Sequence, residues 1–477
     1  MKAWRSATVM TWLVLAIRLG GFSILLPLAL ANLSDAEISV WLLFFAIASL
    51  QVILDFGFSP TFSREIAYGF AGHSLTVRTR AGPPSNRGED RNGEADWSII
   101  SSAVSTMTWL YRRIAVAAFL LMTTLGTWAA WNPIERISQP THAWLAWAAV
   151  VPATAISTFG TPYASFLIGA NRIALQKRWE ASVTAASLAA QGVAILAGFG
   201  LLGLVLAAQA GVLLQVLVNW ILARHVAAGR VVRRADHDIS RKLLIQAMWP
   251  ATWRTAVGAV MSLGLSQGMA VAAANMLAAA EAAGVQVALR IMQVISQVSQ
   301  APFYTRIPEF NRAQAASAPT HLTGNAGIAM RTSLWIFVAG ALVADLVVPR
   351  IFVLIGSQTH FPDEPFWLFL TFAVFFERFG GMHVQLVLTT NRAISHLTNG
   401  VAAAAWVSAF VLLFPLYGAL ALPISMLIAY AGFFAVLSAF FSHSAHPRNF
   451  WAFERNTSLA PFCMILVYAL VHGLSAN

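Results

Sequence analysis

The sequence predicts an all-α polytopic membrane protein, with twelve core transmembrane helices in two six-helix lobes. Three observations predict it. Of 477 residues, 58% are hydrophobic and only 10% are charged, with a mean hydropathy of +0.68. Water-soluble domains carry roughly 25% charged residues. Apolar stretches long enough to cross a bilayer, about 20 residues each, recur along the whole chain. The Lys and Arg residues fall in alternate connections between those stretches. This composition excludes a disordered chain, a collagen-like chain, a coiled coil and a disulfide scaffold.

The first span covers 8–32. Its apolar run, Thr8 to Leu33, is too long for a cleaved leader and has no A-x-A site after it. The second covers 37–58. The segment His73–Trp97 then breaks the apolar pattern with Gly82-Pro83-Pro84-Ser85 and Gly88-Glu89-Asp90-Arg91. It reads as a flexible cytoplasmic loop. Spans at 113–132, 143–168, 179–201 and 203–224 complete an N-lobe, residues 1–230. A basic cytoplasmic linker follows at 231–242. Spans at 245–272, 275–303, 325–350, 365–390, 396–416 and 418–441 form a C-lobe, residues 243–442. The extension 443–477 holds a candidate thirteenth span at 458–474, and whether it crosses decides the side of the C-terminus. No run shows the ten-residue alternation of a membrane β-barrel.

Orientation follows from the basic residues. With the N-terminus in the cytoplasm, only Arg136 and Arg350 fall outside. Arg18, Arg254, Arg290 and Arg378 lie within spans, and every other Lys and Arg lies inside. The net charge of +11, from 30 Lys+Arg and 19 Asp+Glu, therefore reads as Arg-rich cytoplasmic loops, with no nucleic-acid partner. Cys463 is the single cysteine, which excludes an internal disulfide. No Cys/His cluster has zinc-site spacing, so neither a metal nor a cofactor is expected.

An internal repeat supports the two lobes. The second span ends at Pro60-Thr61-Phe62-Ser63-Arg64 and the eighth at Pro302-Phe303-Tyr304-Thr305-Arg306. The fourth ends at Asn171-Arg172-Ile173-Ala174 and the tenth at Asn391-Arg392-Ala393-Ile394. The first span carries Arg18 and the seventh carries Arg254. Both halves start in the cytoplasm, which makes the repeats parallel, with a pseudo-two-fold axis along the membrane normal.

The charges inside the spans carry the chemistry, because each costs at least ~2.5–3.5 kcal/mol in hydrocarbon. Arg18 and Arg254 sit far from either helix end and are expected to face a water-filled cavity. In the eighth span, Gln286, Arg290, Gln293, Gln297 and Gln300 are spaced to share one helix face. Such a polar stripe suits a cavity wall, or hydrogen bonds between helices. Asp55 (four residues after Gln51 and so on its helix face), Glu281, Asp345 and Glu377 each read in two ways. One is a charge partner for an Arg, and the other is a titrating group that couples transport to an ion. Glu377 is the first choice for coupling, and His383 reads as a structural histidine. Guanidinium forks on three helices match the oxygens of an anion such as a phosphate. A phosphate carried on a lipid would enter sideways from the bilayer.

With these features in hand, the chain resembles the MOP superfamily of flippases and exporters. Asp55-Phe56-Gly57-Phe58-Ser59-Pro60 through Arg64-Glu65-Ile66 resembles the second-helix signature of its polysaccharide-exporter branch, the Wzx-type flippases. Leu167-Ile168-Gly169-Ala170-Asn171-Arg172 resembles that branch's fourth-helix exit. The likeness covers about 1–441. It implies a flippase for undecaprenyl-diphosphate-linked oligosaccharide repeat units in the bacterial inner membrane, serving O-antigen or exopolysaccharide synthesis. The partners implied are that polyprenyl-linked substrate, membrane lipids, H⁺ or Na⁺ as coupling ion, and the polysaccharide polymerase machinery. Arg18 and Arg254 match the family's first- and seventh-helix arginines, and Arg290 matches less closely. The long His73–Trp97 loop and a thirteenth span depart from the pattern.

Three other readings compete. Lipid II flippases share the superfamily but usually have fourteen spans. The drug-exporter branch generally places a cation-binding carboxylate in the N-lobe, where the first span offers Arg18 and no acid. Polysaccharide polymerases, ligases and lipid-linked glycosyltransferases are also polytopic, but usually place catalytic residues on a large outer loop. Here the longest outer loops, about 133–142 and 351–364, leave little room for one. No P-loop, nucleophile elbow or metal motif is present, so the expectation is a transporter and not an enzyme.

Overall fold

A computed structural model describes residues 6–55, 57–71, 95–230, 238–315, 319–390 and 392–475. Most of the expected loop (72–94) and the first part of the expected linker (231–237) lie outside the described residues. Helices occupy all twelve predicted spans, and the described residues contain no strand. The chain forms two compact units, Met1–Ala256 and Val257–Asn477.

The first unit opens with α1 (Ala7–Asn32). Ser34 and Glu37 then form a reciprocal capping box that starts α2 (Asp35–Ser49). The predicted second span ends differently from expectation. It tightens into a 3-10 helix at Leu50–Asp55, and the chain turns at Gly57 with φ 74°. Residues four apart do not share a face in a 3-10 helix. Gln51 and Asp55 therefore reach different helices, a correction to the shared face expected for them. Pro60 sits in the first turn of a further helix, α3 (Phe58–Phe70), rather than at the end of the second span.

Asp96 accepts from the amides of Ser98 and Ile99 and so starts α4 (Trp97–Glu135) well before the predicted third span. The added turns carry Ser98, Ser101, Ser102 and Thr106, whose polarity hid them from a hydropathy reading. Their buried face, Ile100, Ala103 and Met107, packs on α3 and on α5 (Pro140–Gly169). α6 (Ile173–Leu196) and α7 (Gly200–Ala227) complete the six long helices.

α8 (Asp238–Met276) leads into the second unit, followed by α9 (Ala279–Tyr304), the short α10 (Ile307–Ala315), α11 (Pro319–Leu354) and α12 (Glu364–Leu388). α13 (Ser395–Tyr417) stops where Gly418 takes φ 54° and ψ −129°, a conformation open to glycine. That turn divides a long apolar helical stretch, Ser395–Ala445, into two helices that pack on each other. α14 covers 421–445, with a π-helical segment at Ile428–Phe434. α15 covers 450–475 and occupies the place of the thirteenth span.

Each unit repeats one packing plan. Its fourth long helix packs on its sixth: α5 on α7, and α12 on α14. Its fifth packs on its sixth: α6 on α7, and α13 on α14. A short helix follows the second long helix in both, and packs on the third: α3 on α4, and α10 on α11. Glycine lets the first and fifth helices approach in both. A Cβ on Gly21 would lie 2.3 Å from Leu188 Cδ1, and one on Gly258 would lie 2.6 Å from Ser395 Oγ. Close approach at small residues is how helices associate in lipid, where burial of apolar area supplies no drive.

Among the described residues, eight helical stretches are long and apolar enough to cross a membrane. Their outer faces expose side chains such as Trp128, Val353 and Leu412, as lipid contact requires. Helices α6, α9 and α12 fall outside that set. All three carry charged or amide side chains along their length, and they hold the groups described next.

Candidate functional site

In the first unit the arrangement is built on α1 and α6. Arg18 is the twelfth residue of α1, about 16 Å along it at 1.5 Å per residue, and so lies near its middle. Its guanidinium donates to Glu180 Oε1 at 2.7 Å. Lys177 Nζ donates to Glu180 Oε2 at 2.8 Å. The carboxylate is thus shared by two cations. Its side chain is only 11% exposed, while that of Arg18 is 59% exposed, so the guanidinium is anchored at one edge and open at the other. Glu180 was not singled out from sequence, because it falls at the edge of a predicted span. The signal was available: Gln176, Glu180, Thr184, Ser187 and Gln191 are spaced four, four, three and four. That is the same helical stripe as in the eighth span. Gln191 donates to Ser187 at 3.2 Å.

Arg254 lies on α8, but its side chain is outside the described residues. Asp55 accepts from the Tyr111 hydroxyl on α4. Gln51 instead accepts from Thr158 of α5 at 3.3 Å.

In the second unit the predicted stripe of α9 divides. Gln286 is buried and donates to the Ala270 carbonyl of α8 at 3.2 Å, a bond between helices. Arg290 donates to Gln293 Oε1 one turn on, at 2.6 Å. Gln297 is exposed and Gln300 half-buried. The stripe is thus buried at Gln286 and more open from Arg290 onward, most of all at Gln297. Glu377 pairs with Arg378, its neighbour in α12. Asp345 of α11 accepts from the Tyr468 hydroxyl of α15, which ties the C-terminal helix to the unit. Glu281 is exposed in the first turn of α9, where a negative charge suits the helix N-terminus.

A second cluster lies where α12, α14 and α15 meet. His383 is fully buried, with Nε2 at 3.3 Å from Glu454 Oε1, and His443 Nε2 lies 3.1 Å from the same oxygen. Burial alone would raise the Glu454 carboxyl, but the imidazoles of His383 and His443 beside it and the hydrogen bond from Ser458 hold it well below the usual range. Nearby, burial lowers Arg448 to about 10 and depresses His446 below its ordinary value. The three ligand-bearing residues are spread over 383–454 with no local motif, so no spacing rule could find them.

The comparisons with known proteins accord with the architecture. No protein-family model matches the chain, and no curated protein matches it. Solved structures do. An inward-facing multidrug resistance MATE family transporter of the MOP superfamily aligns with TM-score 0.63 and 13% identity, over 94% of this chain and 99% of that one. The fold is that of MOP-superfamily transporters. The lipid II flippase MurJ, in an inward closed conformation, aligns with TM-score 0.61 and 9% identity, over 98% and 92% of the two chains. A MOP superfamily transporter from Pyrococcus furiosus, described by the reverse polarity of its binding pocket, aligns with TM-score 0.53 and 14% identity, over 94% and 98%. At such identities the MOP likeness is one of fold. The protein is thus a multi-pass membrane protein with the fold of transporters and flippases.

Proposed function

We propose that this protein is a flippase that moves undecaprenyl-diphosphate-linked oligosaccharide repeat units across the bacterial inner membrane by alternating access. Arg18 carries the proposal. A guanidinium at mid-helix, anchored at one edge by Glu180 and open at the other, suits a phosphate oxygen better than a cationic drug. The first helix has no carboxylate to take a cation. In this reading the first unit offers Arg18 to the anionic head group, and the second unit offers Arg290, with Gln293, Gln297 and Gln300 for the sugars; Arg254 keeps the anion-binding role expected from its place in the seventh span. Glu377 already pairs with Arg378, which favours its role as a charge partner over ion coupling, while Asp55 and Asp345 accept from tyrosine hydroxyls. The basic loops support a cytoplasmic N-terminus in this reading. The chain is not an enzyme in this reading, and the polymerase machinery acts on its product.

The test is mass spectrometry of lipids co-purified with the wild type and with an Arg18→Ala/Arg290→Ala variant. Lys177 still pairs with Glu180 when Arg18 is removed, so the first unit keeps a partner for that carboxylate. A polyprenyl-diphosphate oligosaccharide should accompany the wild type and be missing from the variant. Equal retention by both would move the site off these arginines.

A further inference from the structure

We propose that His383, His443 and Glu454 form a binding site for a zinc-class divalent cation, which fastens the C-terminal helix α15 to α12 and α14. Three side chains from three helices converge here within one unit. Their ligand atoms all lie within 4.8 Å of one another. Two of the edges are 3.3 Å and 3.1 Å, from each imidazole Nε2 to Glu454 Oε1. Tetrahedral zinc with bonds of about 2.0–2.1 Å has ligand-to-ligand edges of about 3.3–3.4 Å. Those two edges are thus already close to those of a bound ion, and the third, between the imidazoles, lies within 4.8 Å.

The contacts around the ligands point the same way. His383 is 0% exposed, yet neither of its ring nitrogens has hydrogen-bond geometry to any described group. A buried imidazole left so costs free energy, and a metal on Nε2 would use the lone pair. The second carboxylate oxygen of Glu454 accepts from Ser458 Oγ at 2.8 Å and from Thr457 Oγ1 at 3.2 Å. Those bonds fix the carboxylate with Oε1 turned to the imidazoles, as outer-shell partners do at metal sites. Two nitrogens and one carboxylate select zinc over calcium or magnesium, which take oxygen ligands. The nearby cation, Arg448, is close enough to act on the charge of Glu454, but its contacts lie elsewhere: it sits 4.0 Å over the Phe453 ring and donates to Ser442 at 3.1 Å. Three protein ligands leave a fourth position for water, on the side where His443 is 12% exposed.

The test uses the full chain, purified in detergent through a tag without histidine and stripped with a chelator. Zn²⁺ alone is then titrated by calorimetry, and Co²⁺ is added in parallel for its visible spectrum. One Zn²⁺ per chain and the strong absorption of four-coordinate Co²⁺ are expected. His443→Ala should weaken Zn²⁺ binding by more than about 100-fold. Ser458→Ala, which touches only the outer oxygen, should weaken it by about 10–100-fold. Ser458→Ala keeps all three ligands and so answers the case in which His443→Ala does not fold. No binding to the wild type, a six-coordinate Co²⁺ spectrum, or equal affinity in wild type and both variants would overturn the assignment.

Discussion

At the scale of single residues, the informative group is Glu180, because it decides how free Arg18 is. Arg18 is more than half exposed, and with its open edge in a water-filled cavity, as proposed, its ion pair is screened and worth at most about 1 kcal/mol. An anionic head group must compete with Glu180 for the same guanidinium. Glu180→Gln should therefore tighten binding of undecaprenyl diphosphate to purified protein by up to about fivefold, the equivalent of that energy. Weaker binding in the variant would mean that Glu180 positions the site instead of competing with the ligand. A second residue gives a pH signature. His446 is buried at the end of α14, where its Nε2 lies 3.1 Å from the Leu386 carbonyl. Burial lowers its folded-state pKa, so the unfolded chain binds the proton more readily. Its contribution to stability is present above about pH 6.5 and is lost as pH falls through that value toward the folded pKa. The loss is at most about 1.4 kcal/mol per pH unit. Thermal unfolding at pH 7.5 and pH 5.5 should show a smaller acid loss in His446→Gln than in wild type. An identical loss would clear His446 of that role.

At the scale of elements, the two equivalent glycines give opposite expectations. Alanine in a helix is worth up to about 1 kcal/mol over glycine. At Gly21 the new Cβ meets the far end of the Leu188 side chain, which can rotate away. Gly21→Ala should therefore stay within about 1 kcal/mol of wild type. At Gly258 it meets Ser395 Oγ at 2.6 Å and Cβ at 2.9 Å, atoms tied closely to the backbone of α13. Overpacking of that kind costs about 1–3 kcal/mol, so Gly258→Ala should lower the unfolding midpoint measurably. Equal midpoints for the two variants would show that α13 yields as easily as Leu188 does. Helix existence was legible in the sequence because apolar runs of span length have few other uses. Helix ends were less so. Trp97–Glu135 begins at the Asp96 cap, but its first turns are polar and gave no apolar signal. The 3-10 turn at Leu50–Asp55 leaves no mark on hydropathy. The stripe of α9 could be read from its spacing, but which of its members bond to other helices could not, because Gln286 meets a backbone carbonyl that no side-chain pattern encodes. The Arg18–Glu180 pair joins residues 162 apart, and only the packing of α1 on α6 brings them together.

At the scale of the whole molecule, the fold does not choose the cargo. A multidrug transporter and a lipid II flippase both align over nearly the full chain. The choice rests on which charges the helices carry inward. A cation exporter needs a carboxylate free to release a proton or to hold a cation. Here Glu180 is held by two cations, Glu377 by Arg378, and Asp55 by a tyrosine hydroxyl. An anion carrier needs a guanidinium with an open edge, and Arg18 has one. The two functions therefore predict different phenotypes in cells. Expression in a drug-hypersensitive bacterium should give no added resistance to cationic dyes. In the native host, the Arg18→Ala/Arg290→Ala variant should abolish surface polysaccharide while its level in the membrane stays unchanged. Gained dye resistance that survives loss of both arginines would reverse the reading, because the work would then fall to the carboxylates and the arginines would serve only to balance their charge.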